Sequence, residues 1–290
     1  MAISVLDDMQ REHVFPHPPR RIVSLVPSDT HSIWAIGAAE NLVGCTEYCE
    51  EPVGLMGTLT VVGGTKNVDV EKVLSLAPDL VIANKEENTR SQLGDLSARG
   101  VRVFVSFPRR VADGVAHLAR LAKILGVQKH PGVVSLVRKG YELIEKKTPG
   151  EIRTFAPIWM DPLMTMSGGT YGSDVIAWAG GRNVFFGRER RYPLAADIGT
   201  KKPLSEEEVG ERDTRYPRIT LEEVIAANPA RVLLPSEPHA FSAKDADVFR
   251  NLEIDAARDN KITFCDGKDL LWYGAWCVEG VPRIRKLLQS

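Results

Sequence analysis

Residues 68–83 read VDVEKVLSLAPDLVIA, and residues 219–234 read ITLEEVIAANPARVLL, which aligns with the first stretch without a gap. Each copy begins with a β-branched residue and a residue able to cap a helix, Asp69 or Thr220, and continues with apolar residues at helical spacing. Each then reaches a proline, Pro78 or Pro229, which disfavours the α conformation in the preceding residue, and an apolar run follows. Each copy therefore predicts a short helix that leads into a buried strand.

The sequences that flank the two copies also correspond. Downstream, GVRVFVSF at 100–107 corresponds to NKITFCDG at 260–267, each a predicted strand after a polar helix. Upstream, residues 20–44 and 151–187 each predict a strand, a proline-containing loop and a helix that ends at glycine. A coincidental match is the alternative, because helix–proline–strand segments are common in α/β proteins. The matching flanks favour two α/β lobes of one architecture.

The lobes are predicted to be joined by a helix. Residues 131–147 carry a broad apolar face and lead directly into the second lobe, so we expect this helix to bridge the two. The predicted division is an N-terminal lobe at 1–126, a bridging helix at 127–150 and a C-terminal lobe at 151–290. Residues 187–217 are rich in charge, glycine and proline and predict a mobile excursion from the second lobe.

Bulk composition restricts the possible partners. The chain has 290 residues and a formal net charge of −1, which gives no general attraction to nucleic acid or an anionic membrane. Residues 1–19 predict a polar lead-in on the surface, and their charges interrupt the apolar run that a secretory signal needs. We expect a cytoplasmic protein from the sequence as it stands, and a periplasmic or cell-surface protein if a leader has been removed.

Further local expectations concern single side chains. Ser28 or Thr30 is expected to cap the first helix, and the two helical tryptophans, Trp34 and Trp178, are expected to fill cores. The four cysteines lack the paired spacing of a zinc site, so we expect reduced thiols, of which Cys45 and Cys49 could share a helix face.

Catalytic motifs are absent from the sequence, which has no GxSxG, Walker, GxGxxG or HExxH pattern. His31 and His239 lie near predicted strand ends and could form a metal site with Asp161 and Glu237, but their spacing does not support one. We therefore expect neither an enzyme nor a protein-bound metal.

Candidate ligand-binding residues follow predicted strands in both lobes, where open α/β sheets bind ligands. If the strand ends face a shared cleft, aromatic loop residues supply apolar area and nearby charged residues orient polar groups. The aromatic candidates are Tyr48, Trp159, Tyr216, Trp272 and Tyr273, with Trp276 close by, and the charged ones are Lys85, Glu86, Asp161 and Glu237. Core filling and a solvated charge cluster are the structural alternatives.

The sequence resembles a known family. RIVSLVPSDTHSIWAIGAAENLVGCTEYC at 21–49, GGTKNVDVEKVLSLAPDLVIANKEEN at 63–88, GGRNVFF at 180–186 and RYPRITLEEVIAANPARVLLPSEP at 215–238 resemble the cobalamin and iron-chelate binding proteins of ABC importers, in the helical-backbone metal receptor superfamily. The resemblance covers almost the whole chain. It implies two Rossmann-like α/β lobes joined by a long backbone helix, as in class III periplasmic binding proteins, with a ligand between the lobes.

The resemblance also implies roles for single residues. The surface glutamates that dock such proteins onto transporter arginines match Glu71 and Glu222. Aromatic residues of the corrin site match Tyr48 and Tyr216, and a further aromatic position falls at Met164. The sequence departs from the cobalamin binders at a tryptophan position that falls within 65–67, and in lacking a signal peptide.

These observations predict a monomeric, non-catalytic binding protein for a corrinoid or another metal chelate. The chelate would be the ligand, not an intrinsic cofactor, and an ABC importer permease would be the partner. One alternative is an intracellular carrier or sensor of another small ligand. The other is a tetrapyrrole chelatase-like enzyme, which would need a base with a shifted pKa.

Overall fold

The computed structural model describes residues 2–145 and 150–290, which form two compact units. Unit 1 comprises residues 1–108, 112–145 and 272–278, and unit 2 comprises 109–111, 146–271 and 279–290. Residues 272–278 thus group with unit 1. Across the described parts of the chain, every helix is too short or too polar to cross a membrane.

Unit 1 is built on a five-stranded parallel sheet with strand order β5-β4-β3-β6-β7. The strands of that sheet are β3 (Ile22–Ser24), β4 (Leu42–Cys45), β5 (Thr60–Val61), β6 (Leu80–Asn84) and β7 (Val103–Ser106). Unit 1 also contains a separate pair of strands, β1 (Ile3–Leu6) and β2 (Glu12–Phe15). Its helices are α1 (Pro27–Ala35), α2 (Val70–Ser75), α3 (Arg90–Ala98), α4 (Val111–Ile124) and α5 (Pro131–Glu145). Short 3₁₀ turns lie at Ala39–Asn41 and Met56–Thr58.

Both faces of this sheet are covered. On β6, Leu80 and Ile82 belong to a cluster that includes residues of α1, α4 and α5. Val81 and Ala83, which alternate with them, belong to a second cluster with Val73 of α2 and Leu96 of α3. Successive side chains of a strand point to opposite faces, so every residue of β6 is buried. This explains the unbroken apolar run that predicts the strand.

Residues 1–19 are more than the polar lead-in that the sequence predicts. β1 and β2 form an antiparallel hairpin in which alternate residues face inward, and Val5 and Phe15 are buried in the unit 1 core. The turn of the hairpin contains Asp7, which is 1% exposed. Its Oδ1 accepts hydrogen bonds from the backbone N–H groups of Met9 and Arg11, both at 2.9 Å. The expectation was wrong because each strand has only 4 residues and the exposed apolar residues Leu6 and Val14 stand beside the buried Val5 and Phe15, so the sequence shows no alternation of polar and apolar residues.

Unit 2 repeats the arrangement with a four-stranded parallel sheet of order β11-β8-β12-β13. Its strands are β8 (Ile152–Phe155), β9 (Pro157–Met160), β10 (Leu163–Thr165), β11 (Gly181–Asn183), β12 (Arg231–Pro235) and β13 (Ile262–Cys265). Its helices are α6 (Tyr171–Trp178), α7 (Leu194–Asp197), α8 (Glu206–Val209), α9 (Leu221–Ala227), α10 (Ala243–Arg250), α11 (Asp255–Arg258) and α12 (Gly267–Leu271), and α13 (Cys277–Gln289) ends the chain. When the strands of each sheet are matched by their order along the chain, β11-β8-β12-β13 corresponds to β4-β3-β6-β7 of unit 1. This match confirms the predicted common architecture.

The repeated stretches form α2–β6 and α9–β12, as the alignment predicts. Asp69 caps α2 by accepting a hydrogen bond from the N–H of Lys72 at 3.0 Å. Thr220 caps α9 in the same way, because its hydroxyl oxygen accepts a hydrogen bond from the Glu223 N–H. The Glu223 carboxylate in turn accepts a hydrogen bond from the Thr220 N–H, which completes a capping box. The residues before the prolines, Ala77 and Asn228, have φ of 44° and 42°. A residue in the left-handed conformation therefore follows both helices at the equivalent position of the repeat.

Some local expectations are wrong. Val26, not Ser28 or Thr30, is the N-cap of α1, and the Thr30 hydroxyl instead donates to the Val26 carbonyl at 3.0 Å from within the helix. Trp34 is 45% exposed, whereas Trp178 is buried as expected. The predicted helix starts too late because Pro27 itself occupies the first helical position.

The predicted bridging helix corresponds to α5, which ends at Glu145. Residues 146–149 of the prediction lie outside the described residues, and the predicted domain division stays a prediction. The charged excursion at 187–217 contains the short helices α7 and α8. Asp197 of α7 is 1% exposed and accepts hydrogen bonds from the backbone N–H groups of Arg191 and Arg218. Composition alone did not indicate this buried carboxylate.

Because of Asp7, the free energy of unfolding should decrease as the pH falls in the acid range. Burial alone would raise its pKa, but hydrogen bonds from the Arg11 N–H, the Arg11 guanidinium and His13 bring the pKa below its ordinary value. A lowered folded-state pKa stabilises the fold above the unfolded-chain value of 3.8, and this stabilisation is lost as pH falls through the folded value. We predict that Asp7→Asn lowers the free energy of unfolding at neutral pH by about 1–3 kcal/mol, measured by urea titration.

The control is Glu12→Gln, because Glu12 accepts a hydrogen bond from Ser4 at an exposed position. This variant should stay close to the parent protein at every pH. The gap between Asp7→Asn and the parent should shrink in acid. A gap of equal size at neutral pH and below the folded-state pKa would show that Asp7 acts through packing and not through its charge.

Candidate functional site

Three of the predicted ligand residues of unit 1 lie at the carboxyl edge of its sheet. Tyr48 follows β4 and is 54% exposed, and Lys85 and Glu86 follow β6 directly. The Lys85 ammonium lies 4.7 Å from the centre of the Phe107 ring, which follows β7. Because the strands are parallel, their carboxyl ends meet at one edge, and the structure brings these side chains to it.

Two buried asparagines shape the loop after β6. The Asn84 Oδ1 accepts hydrogen bonds from the backbone N–H groups of Glu86 at 2.7 Å and Glu87 at 3.2 Å. Asn88 accepts from the Asn84 N–H at 2.8 Å and donates to the Thr65 carbonyl at 2.9 Å. Such hydrogen bonds between side chains and backbone fix the conformation of a loop that lies outside the sheet and the helices. The loop therefore holds Lys85 and Glu86 in place.

Trp272 and Tyr273 belong to unit 1 and are buried, 7% and 5% exposed. The Tyr273 hydroxyl donates to Asp29 Oδ2 at 3.0 Å, accepts from Asn84 Nδ2 at 3.1 Å and lies 2.9 Å from Ser106 Oγ. Asp29 also lies 2.6 Å from His117 Nε2. Burial and the Asp29 charge raise the pKa of Tyr273, so the phenol stays protonated. The surroundings of Tyr273 are those of a structural hydroxyl group.

This buried polar cluster was not found by sequence reasoning. Asp29 and His117 are 0% exposed, although they lie 88 residues apart on α1 and α4. His117 occurs in an amphipathic helical pattern as a single polar residue at an apolar position. That position is the only signal, and it does not identify the partner.

An aromatic cluster surrounds His31 in unit 1. The ring centroids of Trp34, Trp272 and Trp276 lie 5.6, 6.3 and 4.8 Å from that of His31. Trp272 and Trp276 also pack edge to face at 5.2 Å. Trp34, which the sequence predicts to fill the core, instead presents an exposed edge of this cluster, with 45% of its surface accessible.

The predicted residues of unit 2 centre on the β9–β10 hairpin that follows β8. Trp159 is 42% exposed, and its indole N–H donates to the Asp161 carbonyl at 3.0 Å. Trp159 and Met164 are directly opposite each other in the register of the two hairpin strands. The chain segment with Tyr216 runs beside β10, since the Thr165 N–H donates to the Pro217 carbonyl at 3.1 Å. The structure therefore brings Trp159, Asp161, Met164 and Tyr216 into one region.

Glu237 lies after β12, at the carboxyl edge of the unit 2 sheet. Gly267 packs directly against it, because a β-carbon at that glycine would lie 2.4 Å from Glu237 Cγ and 2.6 Å from its backbone. His239 follows in the same loop, and its ring lies 5.4 Å from Trp159 and 4.7 Å from Phe241. Glu237 thus lies two residues before His239, whose ring packs against Trp159.

Glu71 and Glu222 occupy the same position, the second residue of α2 and of α9. The Glu71 side chain is 74% exposed and forms an ion pair with Arg99. Glu222 is also exposed, and its hydrogen bond with Thr220 lowers its pKa. Both carboxylates are therefore available at a surface, as docking residues would have to be.

The four cysteines are free and buried. Cys45 ends β4 and Cys49 lies in the following turn, so the expectation that they share a helix face is wrong. The Cys49 sulfur lies 3.2 Å from the hydroxyl oxygens of both Thr30 and Thr46. A hydrogen bond from Cys45 lowers the pKa of Cys49 to about 7, against the opposing effect of burial, and raises that of Cys45. Within 2–145 and 150–290, His, Cys, Asp and Glu form no group of three able to hold a metal.

Two α/β units with parallel sheets of matching strand order and exposed rings at their carboxyl edges define a solute-binding protein. A sequence profile of the periplasmic binding protein family matches residues 22–266, and the chain belongs to that family. The vitamin B12-binding protein of Yersinia pestis (strain Pestoides F) is 30% identical over 193 residues, which cover 63% of this chain and 67% of that protein.

Solved structures share the fold. The periplasmic vitamin B12 binding protein BtuF of Vibrio cholerae matches with a TM-score of 0.71 and 20% identity, over 94% of this chain and 98% of that one. The periplasmic heme-binding protein RhuT from Roseiflexus sp. RS-1 matches with a TM-score of 0.70 and 21% identity, over 93% and 97%. These similarities establish the predicted fold class of the chain.

Tyr273 and Tyr48 should respond differently to substitution. Tyr273→Phe removes a hydroxyl group that satisfies buried Asp29, so we predict that it lowers the free energy of unfolding by about 1–3 kcal/mol. Tyr48→Phe removes an exposed hydroxyl and should change stability by less than about 0.5 kcal/mol. Chemical denaturation of both variants beside the parent protein measures the contrast. Equal stability of the two variants would argue against a structural role for the Tyr273 hydroxyl group.

Proposed function

We propose that this protein binds a corrinoid or another metal chelate and releases it without chemical change. The observation that carries the proposal is the exposure of aromatic rings at the carboxyl edges of both sheets, Tyr48 at 54% and Trp159 at 42%. Aromatic rings at the carboxyl edge of a parallel sheet supply the apolar area that ligand sites use. The ligand is cargo, and the proposal includes no intrinsic cofactor.

The chemistry of the neighbouring residues suits an amphipathic ligand. Burying an aromatic ring removes about 150–250 Å² from water, at about 25 cal/mol per Å². Lys85 and Glu86 in unit 1 and Asp161 and Glu237 in unit 2 provide charges of both signs beside the rings. A macrocycle with polar substituents needs this combination of apolar area and a few polar contacts.

Family membership and the 30% identical vitamin B12-binding relative support a corrinoid over an unrelated solute. The departures at Met164 and at 65–67 point to a ligand surface with fewer rings than that of the cobalamin binders. Methionine is a flexible, polarisable substitute that packs against a flat ring system. We therefore keep other metal chelates, including heme, within the proposed ligand class.

The proposed partner is an ABC importer permease, contacted by the protein as a monomer. Support comes from Glu71 and Glu222, which occupy equivalent exposed positions on the repeated helices. Two like charges placed by the same repeat are suited to a partner with two equivalent basic patches. The overall charge of −1 provides no reason to include nucleic acid among the partners.

Binding is tested with cyanocobalamin and hemin, titrated separately into the purified protein and followed by absorbance. We predict that Tyr216→Ala weakens binding of the preferred chelate by about 1–3 kcal/mol, because the ring contributes buried area to the ligand site. Tyr48→Ala should do the same from unit 1. Folding of both variants should be nearly unchanged, since Tyr48 is exposed and Tyr216 is only half-buried.

Glu71→Ala and Glu222→Ala are the matched controls and should bind with parental affinity. Loss of affinity in these controls with normal affinity in Tyr216→Ala would overturn the assignment of the ligand site. Binding of neither chelate would favour a carrier of another ligand. Conversion of a free tetrapyrrole and a metal ion into a chelate would establish the enzyme alternative.

Docking is tested by charge reversal. We predict that Glu71→Lys together with Glu222→Lys lowers uptake of the preferred chelate by at least tenfold in cells that depend on this protein, because like charges then face transporter arginines. The ligand affinity of the purified variant should stay unchanged. The control is Glu253→Lys, an exposed glutamate of unit 2 outside the repeated helices. Equal uptake by all variants would exclude the docking role.

A further inference from the structure

The insertion in unit 2 forms an open cavity of its own. The connection between β11 and α9 spans residues 184–220, whereas the corresponding connection between β4 and α2 spans 46–69. A cavity of about 490 Å³ lies inside this longer connection. Its lining comes entirely from residues 187–214. The volume is within the range of small-molecule sites, about 300–1,000 Å³.

One wall of the cavity is cationic and contains Arg188, Arg190 and Arg191. Arg188 already has partners: it forms ion pairs with Asp197 at 2.9 Å and with Glu223 at 2.8 Å. Arg190 differs, because its buried Nε atom has no hydrogen-bond partner. A buried N–H donor without an acceptor is unfavourable, so the Arg190 guanidinium favours an acceptor beside it.

The neighbouring carboxylate of Asp213 does not supply this acceptor. Asp213 is held by Arg215, with Nε–Oδ1 and Nη2–Oδ2 distances of 2.8 and 2.6 Å. The charge of Arg190 contributes to the lowered pKa of Asp213 without a hydrogen bond between them. The Arg190 guanidinium instead lies 5.3 Å from the centre of the Tyr192 ring, with Arg212 at 5.4 Å from the same ring.

The remaining lining is partly apolar. Tyr192, Pro203, Leu204 and Val209 supply ring and aliphatic surface next to the arginines. Glu189 and Glu206 also line the cavity, so the positive charge is limited. A polyanion would meet these carboxylates, whereas a ligand with one negative group would meet an arginine and an apolar wall.

We propose that this cavity binds a small organic monoanion, with its oxyanion group on Arg190 and its apolar body against Tyr192, Leu204 and Val209. The guanidinium provides the donor fork that an oxyanion accepts. The Tyr192 ring holds that fork in place through its contact with the Arg190 cation. The site is separate in its residues from those proposed to bind the chelate.

The probe is 2-naphthalenesulfonate, a permanent monoanion on an apolar ring system, measured by isothermal titration calorimetry on the full chain. Inorganic sulfate lacks the apolar body, and 2-naphthol lacks the permanent charge. We expect 2-naphthalenesulfonate to bind at least tenfold more tightly than either, because only this probe contacts both walls. Equal binding of 2-naphthol would overturn the role of Arg190, and equal binding of sulfate would overturn the role of the apolar wall.

Arg190→Gln should weaken binding of 2-naphthalenesulfonate roughly tenfold or more, since it removes a charged hydrogen-bond donor. Lys201→Gln is the matched control, an exposed cation of the same insertion outside the lining, and should bind like the parent protein. Leu204→Asp tests the apolar wall independently if Arg190→Gln fails to fold, and should also abolish binding. Parental binding by a folded Arg190→Gln or Leu204→Asp variant would exclude this site, whether or not the protein binds a chelate.

Discussion

An arginine at the start of the first sheet strand fixes the repeated helix to the sheet in both units. The Arg21 carbonyl accepts from the Asp79 N–H, and the Arg153 carbonyl accepts from the Ala230 N–H, each at 2.8 Å. The side chains repeat the relationship: Arg21 Nε donates to the Leu76 carbonyl at 3.1 Å, and Arg153 Nε donates to the Asn228 carbonyl at 2.9 Å. The last carbonyls of a helix lack partners within it, and these guanidinium groups supply donors. The helix end and the beginning of β6 or β12 are thereby set together, so the loop after each strand emerges at a defined position.

The carboxyl edges of the two sheets differ in the residues and segments that lie there. Unit 1 satisfies its edge internally, with Asp29, Ser106 and Tyr273 sharing hydrogen bonds out of contact with water. Such a cluster favours one arrangement, because any unpaired member would remain buried without a partner. In unit 2 the β9–β10 hairpin follows β8 and the long 184–220 connection follows β11. Unit 2 therefore carries its additional residues in loops, which tolerate insertion better than a closed polar cluster does.

The sequence predicts features that depend on local pattern or on repetition. The caps Asp69 and Thr220 and the strands after Pro78 and Pro229 follow from residues adjacent in the chain, and the common architecture of the two units follows from the repeat. Contacts between distant residues were not predictable in the same way. Asp29 and His117 meet only once α1 and α4 pack, and the Asp197 carboxylate is buried by N–H groups up to 21 residues away. The charged composition around Asp197 is typical of a solvated loop, so hydropathy pointed away from burial. The hairpin at 3–15 was missed for a related reason, since each of its strands has only 4 residues.

The Asp197 carboxylate explains how a loop with so many like charges can enclose a cavity. Arg188, Arg191 and Arg190 are near neighbours in sequence and would repel one another across an unsupported loop. Asp197 forms an ion pair with the Arg188 guanidinium and accepts a hydrogen bond from the Arg191 backbone N–H, which fixes the chain on either side of Arg190. The Arg190 N–H in turn donates to the Thr214 carbonyl at 2.7 Å, so the backbone of the cationic wall is tied to the far end of the insertion. Buried charges are retained only with such compensation. The arrangement neutralises Arg188, which supports the loop, and leaves the charge of Arg190 at the lining of the cavity.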